Sequence, residues 1–183
     1  MRTNSTARLV LAALLCALTA VLSQIHIPLP PVPVSLSLLG VHLCAALLPG
    51  RWGVAAMGAY VLLGACGVPV FAGFAAGPSV LFGPTGGFLF GYILCAAVER
   101  RMISRLGFAR RTLAFSMAAG TAACYVCGLF WFTASSGCGL LQGLTACVIP
   151  FIPGDVLKVI FAVSIAVRLQ KSLSLTGLSA QSS

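Results

Sequence analysis

The sequence predicts an all-α membrane protein with six transmembrane helices, and three observations lead to this fold class. Of the 183 residues, 60% are hydrophobic and only 7% are charged, whereas about 25% of an ordinary soluble domain is charged. The few charges leave three long uncharged intervals. Clusters of proline and glycine interrupt each interval. So much apolar surface cannot be hidden in one soluble core of this length, and the high hydrophobicity excludes a disordered chain.

The uncharged intervals set the number of helices. They cover residues 9–50, 52–98 and 112–154, which are 42, 47 and 43 residues long. Because one helix needs about 20 residues to cross a bilayer, each interval has room for about two crossings. The first two intervals are expected to form helical hairpins, and the third supplies one crossing and the approach to a last one.

Turn signals divide these intervals, because proline and glycine end helices. They lie at residues 28–33, at residues 64–87, and at residues 135–139, with Pro150 and Pro153 further on. The predicted helices therefore cover residues 8–26, 34–49, 51–66, 85–104, 112–133 and 153–170. Together they form one expected transmembrane domain over residues 1–171, followed by a polar C-terminal tail over residues 172–183.

The positions of the cations predict the topology. Ten of the eleven Lys and Arg residues flank the helices at places that share one side of the membrane: Arg2, Arg8, Arg51, Arg100, Arg101, Arg105, Arg110, Arg111, Arg168 and Lys171. Lys and Arg accumulate in cytoplasmic loops, so both termini are expected in the cytoplasm, with Glu99 at the same edge. The net charge of +9 then marks topology and not a nucleic-acid footprint. Alternatively, residues 1–24 are a cleaved signal peptide, which would spoil this asymmetry.

The eleventh cation, Lys158, lies within the last helix together with Asp155. Their i, i+3 spacing places them on one helix face, near the outer end of the helix, because Pro153 and Gly154 precede them. Ionisable residues inside a membrane are costly and usually functional. The two side chains can pair with each other and pin the helix, anchor a ligand, or relay protons. As ligand anchors they are complementary, since Asp155 offers acceptors and Lys158 offers donors.

Other chemistry is thinly represented. The chain has no G-x-x-x-x-G-K-[ST] motif, so it is not a P-loop ATPase, and no Ser/His/Asp set has plausible spacing. His26 and His42 are interpreted as helix histidines with satisfied partners. Most of the eight cysteines are expected to act as small apolar residues, and Cys124 and Cys127 lack companion metal ligands. The sequence therefore predicts no catalytic residue, no metal and no cofactor.

Two further features suggest contacts with a ligand or a partner. The outer segments 67–78 and 83–87 are rich in glycine, which permits close backbone approach to a ligand, although tight turns explain the same glycines. In the first helix, small residues recur every four positions, as at Ala13 and Ala17. Such strips let helices approach closely in a bilayer, either within the fold or against a partner helix.

Four segments carry a resemblance to a known family: Val32–Leu36, Tyr60–Gly73, Gly83–Gly91 and Pro150–Lys158, the last reading P-F-x-P-G-D-x-x-K. In order and spacing they resemble the BioY family, over about residues 9–170. BioY proteins are the biotin-binding membrane subunits, or S components, of energy-coupling factor (ECF) transporters. The resemblance implies the six-helix S-component fold, an outward-facing biotin pocket, a transmembrane coupling subunit with two ATPase subunits, and the cell membrane of a prokaryote.

The resemblance also implies roles for particular residues. Asp155 and Lys158 would contact the ligand, Asp155 accepting from a ureido N–H and Lys158 donating to the ureido carbonyl or to the carboxylate. The strip with Ala13 and Ala17 would face the coupling subunit. Apolar walls and a glycine-rich cover over the pocket are expected from a further set of residues: Tyr60, Phe71, Gly73, Phe74 and Gly86.

The chain departs from the family pattern at several positions. Ser35-Leu36-Ser37 stands where Thr-Leu-Gln is common, Phe88 replaces a common Tyr, and Phe74 interrupts the loop. Losing a Gln-sized polar contact weakens the expectation that the second helix binds the ligand.

Three functions are compatible with these features. The first is the vitamin-binding transporter subunit, which performs no chemistry. The second is an autonomous secondary carrier with Asp155 as the candidate group for proton coupling, although the chain lacks an evident inverted repeat. The third is a membrane enzyme with Asp155 and Lys158 as acid and base, which lacks a third catalytic group.

Overall fold

The computed structural model describes residues 3–28 and 32–175. All six predicted helices are present, with ends within five residues of the predicted ends. They are α1 (Thr3–Gln24), α2 (Ser37–Leu47), α3 (Trp52–Ala65), α5 (Gly86–Leu106), α6 (Arg110–Ser136) and α8 (Ile152–Leu175). The division into a domain over 1–171 and a tail over 172–183 stays a prediction, because α8 continues to Leu175 and residues 176–183 lie outside the described part.

Short elements fill the segments that the sequence analysis treated as loops. Two are helices, α4 (Pro78–Phe82) and α7 (Leu140–Cys147), and two are 3-10 turns, Ala72–Phe74 and Ile149–Phe151. A short antiparallel pair, β1 (His26–Ile27) with β2 (Val34–Ser35), joins the end of α1 to the start of α2. These elements were missed because each is too short to show a hydrophobic period.

Within the described residues, three helical stretches are long and apolar enough to cross a membrane: Ser5–Gln24, Arg110–Ser136 and Leu140–Ser172. Helices α2 and α3 are apolar but have only 11 and 14 residues. Helix α5 has 21 residues, but its second half carries Glu99, Arg100, Arg101 and Arg105. The bundle therefore combines long spans with shorter helices that reach only part of the bilayer thickness.

The structure gathers the flanking cations at one end of the bundle. Helices α2 and α5 run in the same direction, because Ser37 contacts Tyr92 and His42 contacts Glu99. Arg51, which follows α2, therefore lies at the same end as the arginines of the α5–α6 turn. The start of α1 lies at that end, because Leu9 and Trp52 line one hollow, and the end of α8 lies there, because its first turns reach Tyr125 in the second half of α6. This end therefore holds nine described cations: Arg8, Arg51, Arg100, Arg101, Arg105, Arg110, Arg111, Arg168 and Lys171. Arg2 lies outside the described residues.

Glu99 is not at the edge where the sequence placed it. Its carboxylate is fully buried, with Oε1 2.6 Å from Nδ1 of His42 and 3.0 Å from the Sγ of Cys95, which donates to it. Gly120 on α6 makes the room, since a Cβ there would lie 2.6 Å from Oε1 of Glu99. Burial is tolerated because a polar partner lies beside the carboxylate. Nδ1 of His42 therefore has a partner, so the expectation of a satisfied histidine is met in part: Nε2 of His42 and Oε2 of Glu99 have no hydrogen-bond partner among the described residues.

The buried pair predicts a non-additive effect on stability. Replacing His42 or Glu99 alone by Leu leaves the other member buried without its partner, so each single variant should lose about 3 kcal/mol of unfolding free energy. The double variant H42L/E99L removes both polar groups and should return to within about 1 kcal/mol of wild type. Thermal unfolding in detergent measures both effects, and additive losses would contradict the pairing.

Candidate ligand-binding site

A cavity of about 310 Å³ lies at the end of the bundle opposite the cations. The start of α2, the second half of α3, the start of α5 and the segment from residue 71 to residue 85 form its wall. A recess of about 50 Å³ adjoins it and reaches Asp155 and Lys158. Ser35, Phe88 and Tyr92 line both spaces. The combined space is concave and mostly apolar with a few polar groups, which is the usual character of a small-molecule site.

Asp155 and Lys158 form an ion pair at the recess. Asp155 and Lys158 are 5% and 6% exposed as residues, and Nζ of Lys158 donates to Oδ1 of Asp155 at 2.5 Å. The hydroxyl of Tyr125 on α6 donates to the other carboxylate oxygen, Oδ2. Each oxygen thus has one donor and keeps a lone pair, and the ammonium has two further N–H groups. The pair stabilises itself and can still bind a neutral polar group.

Tyr60 and Phe71 form the apolar wall that the sequence predicted. Both are almost fully buried, and their rings meet edge to face with centroids 5.7 Å apart. The hydroxyl of Tyr60 donates to the carbonyl of Val70 at 2.9 Å. Gly64 on α3 permits this packing, because a Cβ there would lie 2.0 Å from the Phe71 ring.

Gly73, Phe74 and Gly86 do not line the cavity. Phe74 is 69% exposed and has a positive φ of 57°, so its side chain points away from the wall that Phe71 forms. Gly73 also has a positive φ, and its nearest side chain is His26. Gly86 is needed for close packing, since a Cβ there would lie 1.7 Å from the carbonyl oxygen of Leu81. Ala72 and Ala75 of the same loop line the cavity instead.

Side chains of α1 hold the loop over the cavity. Ser23 donates to the carbonyl of Val70 at 2.5 Å. Gln24 donates to the carbonyl of Phe71 at 3.2 Å and accepts from the N–H of Phe74 at 2.9 Å. The sequence analysis missed both residues, although a polar Ser-Gln pair at the end of an apolar helix indicates side chains that can form hydrogen bonds with a neighbouring loop.

Helix α2 does contribute polar groups to the cavity. Ser37 bonds to the hydroxyl of Tyr92 on α5 and to Ser35, each at 2.6 Å. Sequence reasoning missed Ser37, Tyr92 and Tyr125, since single hydroxyls in apolar helices show no spacing pattern. The lost Gln-sized contact is thus partly replaced by a serine and a tyrosine from two helices.

Ala13 and Ala17 lie away from this site. They are exposed on α1 and line a hollow of about 550 Å³ between α1 and α3, which is larger than the cavity. Its lining is almost entirely apolar, mostly alanine, and it opens on the side of the bundle. It lacks the polar groups that orient a small ligand, so the smaller cavity is the better ligand site.

Comparisons with known proteins agree with this arrangement. A family model described as the BioY family matches residues 1–175. The chain belongs to the BioY family. A BioY relative from Thermotoga maritima, named "Biotin transporter BioY", is 39% identical over 167 residues, which cover 90% of this chain and 96% of the relative. Another with the same name, from Rhizobium etli, is 34% identical over 170 residues, covering 86% and 90% of the two chains.

A solved structure shows the same fold. It is a crystal structure of the S-component for biotin from an ECF-type ABC transporter, with a TM-score of 0.88 and 26% identity. The match covers 93% of this chain and 94% of that chain. The predicted S-component fold is thereby confirmed, and the BioY relatives are named as transporters and not as enzymes.

Gly64 offers a test of the wall formed by Phe71. Gly64→Ala should push the Phe71 ring and its loop out of place and lower the midpoint of thermal unfolding, because the added Cβ overlaps the ring. Gly58→Ala on the same helix is the matched control, since a Cβ there meets nothing within 4 Å. That control should stabilise the helix by up to about 1 kcal/mol. Equal shifts in the two variants would contradict the packing.

Proposed function

We propose that this protein is the biotin-binding S component of an ECF-type vitamin transporter. It binds biotin in an outward-facing pocket and delivers it across the membrane together with a coupling subunit and ATPases. The observation that carries the proposal is the buried pair of Asp155 and Lys158 at the end of an apolar cavity. The family membership and the names of the relatives support the choice of vitamin.

The chemistry of the cavity fits biotin. Biotin has a ureido group with two N–H donors and one carbonyl, an apolar thioether ring, and a chain that ends in a carboxylate. Asp155 accepts from a ureido N–H, and Lys158 has spare donors for the carbonyl. Tyr60 and Phe71 pack against the apolar ring. The cavity has room for the ring, while the recess holds only a small polar group.

The distribution of cations supports the proposed orientation of the bundle in the membrane. The cationic end of the bundle faces the cytoplasm, by the same asymmetry that sets the topology of other membrane proteins. The cavity at the opposite end then faces outward, and both termini are cytoplasmic. An outward pocket is where a subunit for uptake meets its vitamin.

The hollow between α1 and α3 supports the proposal that a helix of a partner protein packs against this subunit. Small side chains on both helices, including Ala13 and Ala17, leave a groove into which a transmembrane helix packs closely. The coupling subunit of an ECF transporter is the partner proposed for it.

Biotin affinity tests the ion pair. Asp155→Asn and Lys158→Met remove a charge from the recess, and each should weaken biotin binding in detergent by about 10- to 100-fold, the range for hydrogen bonds to charged groups. Lys171→Met at the cationic end is the matched control and should bind like wild type. Unchanged affinity in folded Asp155 and Lys158 variants would contradict the assignment.

Copurification tests the groove. Ala13→Trp with Ala17→Trp fills the hollow, so the coupling subunit should no longer copurify, while biotin binding to the isolated subunit should persist. Leu14→Trp is the control, because Leu14 is 62% exposed on the same helix and does not line the hollow. Biotin uptake without the ATPases, abolished by an uncoupler, would instead support an autonomous carrier.

A further inference from the structure

Three hydroxyl groups form a chain between the cavity and the recess. Ser35 at the end of β2 bonds to Ser37 at the start of α2, and Ser37 bonds to Tyr92 on α5, each at 2.6 Å. Ser37 is buried and lines only the cavity, whereas Ser35 and Tyr92 line both the cavity and the recess that reaches the ion pair. The two ends of the chain therefore lie where a bound ligand meets Asp155 and Lys158.

In this chain of three hydroxyl groups, one hydroxyl hydrogen is not used in a bond between the three groups. Each hydroxyl carries one hydrogen and can accept two, so two internal bonds use two of the three hydrogens. If Ser35 donates to Ser37 and Ser37 to Tyr92, the hydrogen of Tyr92 is left for a ligand. If the order reverses, Tyr92 becomes an acceptor. Tyr92 can thus donate or accept according to what the ligand presents.

The other two tyrosines of the protein, Tyr60 and Tyr125, cannot switch between donating to and accepting from a ligand. The hydroxyl of Tyr60 donates to the carbonyl of Val70, and that of Tyr125 donates to Asp155. A backbone carbonyl and a carboxylate only accept, so both hydrogens are already committed. Tyr92 is the tyrosine whose hydroxyl can turn to a ligand without breaking a bond to the protein.

Charge decides which part of the ligand enters the recess. Asp155 and Lys158 neutralise each other there, so an entering carboxylate would leave one net negative charge buried beside Asp155, which is costly. A ureido group is neutral, and its alternating donors and acceptor match the carboxylate on one side and hydroxyl donors on the other. The recess is also too small for the ring and chain of the ligand.

We propose that Tyr92 contacts the ligand directly and donates to the ureido carbonyl, with Ser37 as the positioning residue that orients its hydroxyl. This inference rests on the proposed function, because it names a contact within the same site. It assigns recognition of the head of the ligand to α2 and α5 as well as to α8. Tyr92 then distinguishes ligands by whether they present an acceptor at that point.

Binding of three ligands to purified variants in detergent tests this assignment. Tyr92→Phe should bind biotin about tenfold more weakly than wild type, as expected for one lost hydrogen bond in a buried site. Tyr92→Phe should weaken the binding of biotin amide, whose tail is uncharged, by the same factor. The substitution should have almost no effect on the affinity for 2-thiobiotin, whose sulfur is a poor acceptor. Ser116→Ala is the control, since its buried hydroxyl bonds within α6 and away from the cavity.

A second variant separates orientation from simple packing. Ser37→Ala should weaken biotin binding less than Tyr92→Phe does, and the double variant should bind like Tyr92→Phe alone, because Ser37 acts through Tyr92. Additive losses would show that Ser37 has a separate role and would overturn its positioning assignment. If Tyr92→Phe does not fold, biotin binding to Ser37→Ala decides, and an unchanged affinity overturns the proposal.

The remaining outcomes distinguish a failure of the Tyr92 assignment from a failure of the proposed biotin-binding function. If wild type binds biotin and folded Tyr92→Phe binds it equally well, Tyr92 is not a contact and the proposed function stands. If the loss vanishes with biotin amide, the hydroxyl meets the carboxylate, and the assignment to the head is wrong. If folded wild type binds no biotin, the proposed function fails and this inference fails with it.

Discussion

A charge inside a membrane protein must have a partner, and this requirement organises the described part of the chain. Asp155 and Lys158 can lie within the bundle because each is the counterion of the other and because Tyr125 donates to the remaining carboxylate oxygen. Deeper in the bundle, Glu99 is tolerated for the same reason beside His42. The other described cations lie together at the end of the bundle opposite the cavity, an arrangement that is typical of the cytoplasmic ends of transmembrane helices.

Both buried acidic residues, Glu99 and Asp155, have a partner, but one pair stabilises the fold and the other lies at the candidate ligand site. The Glu99 pair is enclosed by α2, α5 and α6 and does not line the cavity, so its effect is on stability. The Asp155 pair lies at a recess, and its spare hydrogen-bonding capacity faces the space in which a ligand fits. A buried ion pair that lines a recess can exchange part of its hydrogen bonding with a ligand, whereas a pair that lines no cavity cannot. Position, and not residue type, therefore distinguishes the two pairs.

Much of this architecture could be predicted from the sequence, because a membrane constrains where charges and turns can lie. The uncharged intervals predicted the six helices, and the spacing of Asp155 and Lys158 predicted that they share a face. Tertiary neighbours could not be predicted in the same way. Tyr92 and Tyr125 have no recognisable spacing to their partners, and Glu99 looked like an edge residue because Arg100 follows it. Phe74 was assigned to the wall by its type, but the positive φ of its backbone turns the side chain outward.

We propose that the recess and the cavity together form one specific site for biotin. Equilibrium binding of labelled biotin to the purified wild-type protein in detergent, without any partner subunit, tests it most directly. We expect saturable binding with one site per chain, displaced by unlabelled biotin. Absence of saturable binding in a sample that unfolds cooperatively on heating would contradict it.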